Sequence, residues 1–143
     1  VLIACGDHLN RYKEDFMKNQ QEFINDVYKD RGYVVGYHTV MAREDYDWLK
    51  SYDAFAKRTY TEEEHLDRKT KELLQIVTLT ALGAEVEHIA KHVNVALKEG
   101  ATKEEILAAL KVVFLPLGGV AFERGVKAWS SVVGADSVQP ENV

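Results

Sequence analysis

Apolar positions recur along the chain at helical spacing almost from one end to the other, and no segment shows the strict alternation of a half-buried strand. The first periodic stretch runs from about His8 to Lys29 and places Phe16, Phe23, Ile24 and Val27 on an inward face, with DRG at 30–32 as its stop. YVVGYHTVMARED, from residue 33, is ambiguous, because Tyr33, Val34 and Val35 have strand character but no partner strand is available elsewhere. A turn entering a helix is the preferred reading. EDYDWLKSYDAFAKRTY then sets Trp48, Leu49, Tyr52 and Phe55 on one helical face.

The second half is patterned more strongly. LDRKTKELLQIVTLTALG begins at an acidic cap and turns apolar almost all round from Leu73 to Leu82, as a buried central helix would. A tight break at Gly83 leads into GAEVEHIAKHVNVALKEG, closed by Gly100. ATKEEILAALKVVFLPLGG opens on Thr102 with Glu105 three residues later, the signature of a capping box. Pro116 should kink or end this helix, and GVAFERGVKAWSSVV forms the last one before a polar tail, 134–143, expected to be mobile. The pattern predicts an all-α bundle of about six helices in a single domain, 1–143.

Composition narrows the classes. With 143 residues, 46% of them hydrophobic, the chain can bury a real core. Its net charge of −5 and pI near 5.5 leave no electrostatic footprint for nucleic acid. Read as split at Pro116, the sequence holds no apolar run of the roughly 20 residues that span a bilayer, so no membrane is expected. The single cysteine, Cys5, can form neither an intramolecular disulfide nor a thiolate cluster. The opening VLIACG resembles the end of a lipoprotein signal but lacks the charged start and apolar length of one, and reads as a trimmed or frayed terminus. A cytoplasmic address is expected.

Candidate chemistry concentrates in EVEHIAKH, residues 85–92. At about 100° per residue, Val86, Ile89, Val93, Ala96 and Leu97 share the buried arc and Glu87, Lys91, Asn94 and Lys98 the wet one. Glu85, His88 and His92 form a third stripe at i, i+3, i+7 on the border, where pockets and subunit contacts open. Glu72 lines up with Ile76 and Leu79 on the apolar central helix, so its carboxyl should be buried, and a buried carboxyl either finds a partner or shifts its pKa upward. A raised-pKa carboxylic acid beside imidazoles suits proton transfer near neutral pH. Neutralisation by Arg68, one turn earlier, is the structural alternative. A second alternative gathers Glu85, His88 and His92 as a two-histidine, one-carboxylate set for a divalent metal ion. His38, beside Tyr33 and Tyr37, is a further candidate as a substrate-binding cover for the pocket.

Three elements carry a resemblance: KEL at 71–73 entering the buried helix, H-V-x-x-A-L-x-x-G-A-T-x-E-E-I from His92 to Ile106, and the paired Gly118 and Gly119. In their order and spacing, residues 66–129 resemble the carboxymuconolactone decarboxylase family, which also contains the alkylhydroperoxidase D-like proteins; residues 8–60 then form a helical N-terminal extension. The resemblance implies an all-helical fold, a homo-oligomer of trimers or hexamers, and a pocket whose glutamate and histidine map to Glu72 and His92. The two cysteines of the peroxidase branch map to Glu85 and His88, so disulfide-relay chemistry is not expected. What remains is a lyase or isomerase for a carboxylated lactone or oxo acid, in the setting of aromatic-compound catabolism. Such an enzyme works by Glu/His proton transfer without a cofactor; a divalent metal ion is the alternative. Glu85 and His88 would then line the substrate site. A non-catalytic oligomeric scaffold of the same fold is the remaining reading.

Overall fold

The computed structural model describes residues 3–140, with side chains from residue 14 onward. Six helices follow in chain order: α1 (Ile3–Arg31), α2 (Gly36–Glu44), α3 (Tyr46–Ala56), α4 (Arg68–Ala81), α5 (Val86–Lys98) and α6 (Lys103–Val133), with a π-helical turn at Lys57–Thr61 after α3. No strand occurs among the described residues, and the fold is all-α. The chain divides into two compact units, Val1–Thr61 and Glu62–Val143. The frayed-terminus reading of residues 1–5 falls on residues 1 and 2, outside the described residues, and on the first turn of α1; the Cys5 side chain is likewise outside them.

In the N-terminal unit, α1 packs on α2 and α2 on α3. Among the described side chains of α1 the buried ones are Gln20, Val27 and Arg31, while Phe16, expected inside, is half-exposed and meets Tyr46 edge-on at 6.1 Å between ring centres. On α3 the buried stripe is Leu49, Asp53 and Ala56; Trp48 and Phe55 are exposed. The shift in face has an electrostatic cause. Arg31 at the end of α1 is itself buried and binds the Asp53 carboxylate at 2.5 Å, so α3 turns a charged residue inward and leaves an aromatic one outside.

In the C-terminal unit α4, α5 and α6 pack mutually. Their core is Ile76, Ile89, Val93, Ala96, Ala101, Ile106, Leu110 and Ala128. The helix starts follow the sequence signals: Asp67 caps α4 by accepting the Thr70 N–H at 2.7 Å, and Thr102 and Glu105 exchange both bonds of a capping box. α4 is less enclosed than its composition suggests, since Leu74 is half-exposed.

α6 is two helices joined at a kink, the second folded back on the first: Trp129 Nε1 donates to the Lys103 carbonyl at 2.9 Å, and the Phe114 and Phe122 rings meet edge-on at 5.5 Å. Gly118 sits at φ 76°, ψ −174°, a region essentially reserved for glycine, two residues beyond Pro116. Taken as one element, Lys103–Val133 is long and apolar enough by length and composition to cross a membrane, which the sequence reading, splitting it at Pro116, did not count. The break leaves 103–117 and 119–133, each short of the roughly 20 residues a span needs. Gly125, in the second half, packs closely against both the first half of α6 and α4: a Cβ there would lie 2.5 Å from a Leu110 methyl and 3.0 Å from Thr80. Gly134 caps the helix in the left-handed region, and residues 135–140 carry no regular structure.

Candidate active site

α4 and α5 are joined by the turn at 82–85 and lie side by side, so the inward face of the first and the border stripe of the second come together. Glu72 is the second-turn residue of α4 on the row of Arg68 and Ile76, and its side chain is fully buried, 0% exposed. His92, in the middle of α5, is 2% exposed. The two touch: His92 Nδ1 lies 2.8 Å from Glu72 Oε2. On the other oxygen, Arg68 Nε donates to Glu72 Oε1 at 2.7 Å. Arg68 is held in turn by its backbone N–H, which donates to the Glu63 carboxylate at 2.8 Å.

The sequence reading expected Glu72 to approach His92 across a partly buried pocket, with Arg68 as the alternative partner, and both groups contact it. Glu72 and His92 are in direct contact, and the Glu72 carboxylate is shared between a cation and an imidazole. With Nδ1 bound to Glu72, the ring nitrogen facing away from the carboxyl is Nε2. The ring of His88, one turn earlier on α5, stacks on His92 with centres 5.6 Å apart and planes 27° from parallel. Burial, then the neighbouring His92 and Lys91, hold the His88 pKa below its ordinary value of 6.5, so its imidazole is neutral near pH 7.

Two further expected members of the site are Glu85 and His38. Glu85 is the residue before the first turn of α5, at φ −58° and ψ 142°, and is exposed. Its backbone is not helical, so extrapolating the i, i+3, i+7 stripe back to it misplaces the side chain. Among the described residues no group of three or more histidine, cysteine, aspartate or glutamate side chains is arranged to hold a metal ion, which includes the Glu85, His88, His92 set. His38, expected as a substrate-binding cover, belongs to the N-terminal unit and has partners there. Its Nδ1 lies 3.2 Å from the Val35 N–H, its Nε2 lies 3.2 Å from Arg31 Nη1, and Tyr37 stacks on it at 4.3 Å. The sequence reading missed this cluster of Arg31, His38 and Asp53. The available signal was Asp53 at i+4 from Leu49, a charge on a buried row.

The family model for carboxymuconolactone decarboxylases matches residues 46–130. The chain belongs to the carboxymuconolactone decarboxylase family. No curated protein and no solved structure matches it. The matched stretch holds Arg68, Glu72, His88 and His92, and it begins at α3, inside the region that the sequence reading set aside as an extension before residue 66. The carboxymuconolactone decarboxylase domain of this chain therefore draws residues from both compact units.

Proposed function

We propose that the chain is a small-molecule lyase or isomerase of the carboxymuconolactone decarboxylase type, acting on a carboxylated lactone or oxo acid through His92. The observation that carries this reading is the Arg68–Glu72–His92 relay, in which a buried carboxylate anchored at one oxygen orients an imidazole with the other. A carboxylate on one ring nitrogen fixes tautomer and ring direction and presents the other nitrogen for proton exchange. Glu72 is then a positioning residue, and His92 Nε2 is the group that handles the proton. In decarboxylation the electron pair of the bond to the departing CO₂ passes into the lactone or keto carbonyl of the substrate, and the resulting enolate carbon takes a proton from His92, which is replenished from solvent. The substrate supplies the electron sink, so the step uses no cofactor.

The test is turnover of a carboxylated lactone, followed as CO₂ release. Glu72→Gln preserves shape and is expected to lower kcat by about 10²-fold or more and to alter the pH–rate profile, with partial rescue by Glu72→Asp. An unchanged kcat and profile overturns the reading. A scaffold reading is favoured by one observation, the pairing of Glu72 with Arg68 as well as His92, since a fully satisfied buried network also specifies a core. In that case Glu72→Gln lowers Tm and wild type shows no turnover. We further propose that the protein is a homo-oligomer, trimer or hexamer. Support comes from apolar side chains left in the open around the break in α6, with Leu115 93% and Val120 83% exposed.

A further inference from the structure

Within the N-terminal unit, Tyr37 in the first turn of α2 and Tyr52 on α3 meet at their phenols. The Tyr37 hydroxyl donates to the Tyr52 oxygen at 2.6 Å, and the two rings stand edge to face with centres 5.6 Å apart. Both rings are held in place. Tyr37 stacks on His38 at 4.3 Å, while Tyr52 lies parallel to Trp48 at 5.5 Å, with the Arg31 guanidinium 5.3 Å from its ring centre. His38 and Arg31 are themselves buried, which anchors the pair, yet Tyr37 stays 42% exposed and within reach of solutes. Burial, then the hydrogen bond with Tyr52, push the Tyr37 pKa above its ordinary value of 10, so the neutral phenol is the form present near pH 7. A hydrogen bond between exposed hydroxyls competes with water and adds little to stability, so folding alone gives this contact small value.

We propose that Tyr37 and Tyr52 form an oxidative cross-linking site, at which a one-electron oxidant such as a peroxyl or carbonate radical joins α2 to α3 through a bond between the two rings. Each phenol gives one electron to an oxidant and its hydroxyl proton to water. The two phenoxyl radicals then pair their electrons in a carbon–carbon bond between ring positions ortho to the oxygens. The hydrogens on those two carbons move to the oxygens, which restores both aromatic rings and both hydroxyls. In balance, two electrons go to two equivalents of oxidant and two protons to water, and the chain is lighter by two hydrogens. The contact between the phenols supplies the encounter that separate tyrosines must reach by diffusion. The new bond closes the loop between residues 37 and 52, and a closed loop restricts the unfolded chain as any covalent cross-link does.

The experiment exposes the full chain to a one-electron oxidant generated by light from ruthenium tris(bipyridyl) and persulfate, followed by intact-mass measurement, digestion and melting. The expected product is a cross-link within one chain, two hydrogens lighter, with the fluorescence of dityrosine and a digest fragment that joins residues 37 and 52. It is expected to melt higher than the untreated chain and to resist thiol reductants. Tyr37→Phe and Tyr52→Phe each remove one phenol and keep the ring, and each is expected to lower the yield about tenfold or more. Tyr33→Phe and Tyr28→Phe are expected to leave it unchanged. Cross-links found only between chains, a digest that joins other tyrosines, or an equal yield of the lighter product from Tyr37→Phe overturns the proposal.

Discussion

A neutral imidazole has one accepting nitrogen, and that rule bears differently on His38 and His92. At His38 the Val35 N–H and the Arg31 guanidinium both approach as donors, one to each ring nitrogen, so only one of these contacts is a hydrogen bond at a time. His92 has no such conflict, because a carboxylate accepts whatever proton Nδ1 carries. His88, with its lowered pKa, makes a statement about acid stability. Between the lowered folded value and 6.5 the unfolded chain binds more protons than the folded one, so stability falls as pH drops through that window. Thermal melts from pH 7 to 5 are expected to show this decline, and His88→Gln is expected to flatten it in that range. Cys5 is the only thiol, and Cys5→Ser is expected to leave any peroxide turnover unchanged, since no relay within one chain is possible. Thr80 is buried against Gly125 with a hydroxyl that has no hydrogen-bond partner among the described residues. Thr80→Val, which removes a polar group that gains nothing from burial, is expected to hold or raise Tm.

The helices depend on their ends and on two glycines of α6. Gly118→Ala puts a side chain into a conformation that costs about 1–3 kcal/mol, although nothing lies within 4 Å to clash with it. Gly125→Ala has ordinary helical torsions but collides with Leu110 and Thr80, at a cost of about 1–3 kcal/mol from overpacking. Both are expected to lower the urea midpoint, and Gly125→Ala is expected to be relieved by Leu110→Ala, since that methyl is its nearest obstacle. A Gly118→Ala defect would not be relieved by trimming any neighbour. Removing the Thr102 cap by Thr102→Ala costs about 1 kcal/mol.

At the scale of the whole molecule, the exposed apolar surface is the property with the largest consequence. Leu82, Val112, Leu115 and Val120 are all open to solvent in the isolated chain. Sedimentation at micromolar concentration is expected to report a trimer or hexamer, and replacing Leu115 and Val120 together by lysine is expected to shift it toward monomer, because two charges in an apolar contact are costly to desolvate. A monomeric wild type would refute the assembly.

Periodicity alone determined the helical class, the break near Pro116, the cap at Thr102 and the inward set Ile89, Val93 and Ala96, because these follow from local sterics and from a 3.6-residue repeat that any helix obeys. The position of Glu72 on a buried row was equally legible. What the row could not give was its partners: Arg68 was one option among several, and the direct bond to His92 exists because α5 folds back beside α4. The faces of α1 and α3 escaped the pattern for the same reason. Hydrophobicity ranks residues one at a time, whereas Asp53 is buried only because Arg31, 22 residues away, is there to meet it. Glu85 lies at a boundary, where the helix has not yet begun, so helical periodicity could not give its direction. Local preference sets which segments become helices; tertiary contact sets which charges they turn inward, since a charge is buried only beside a counter-charge that some other segment supplies.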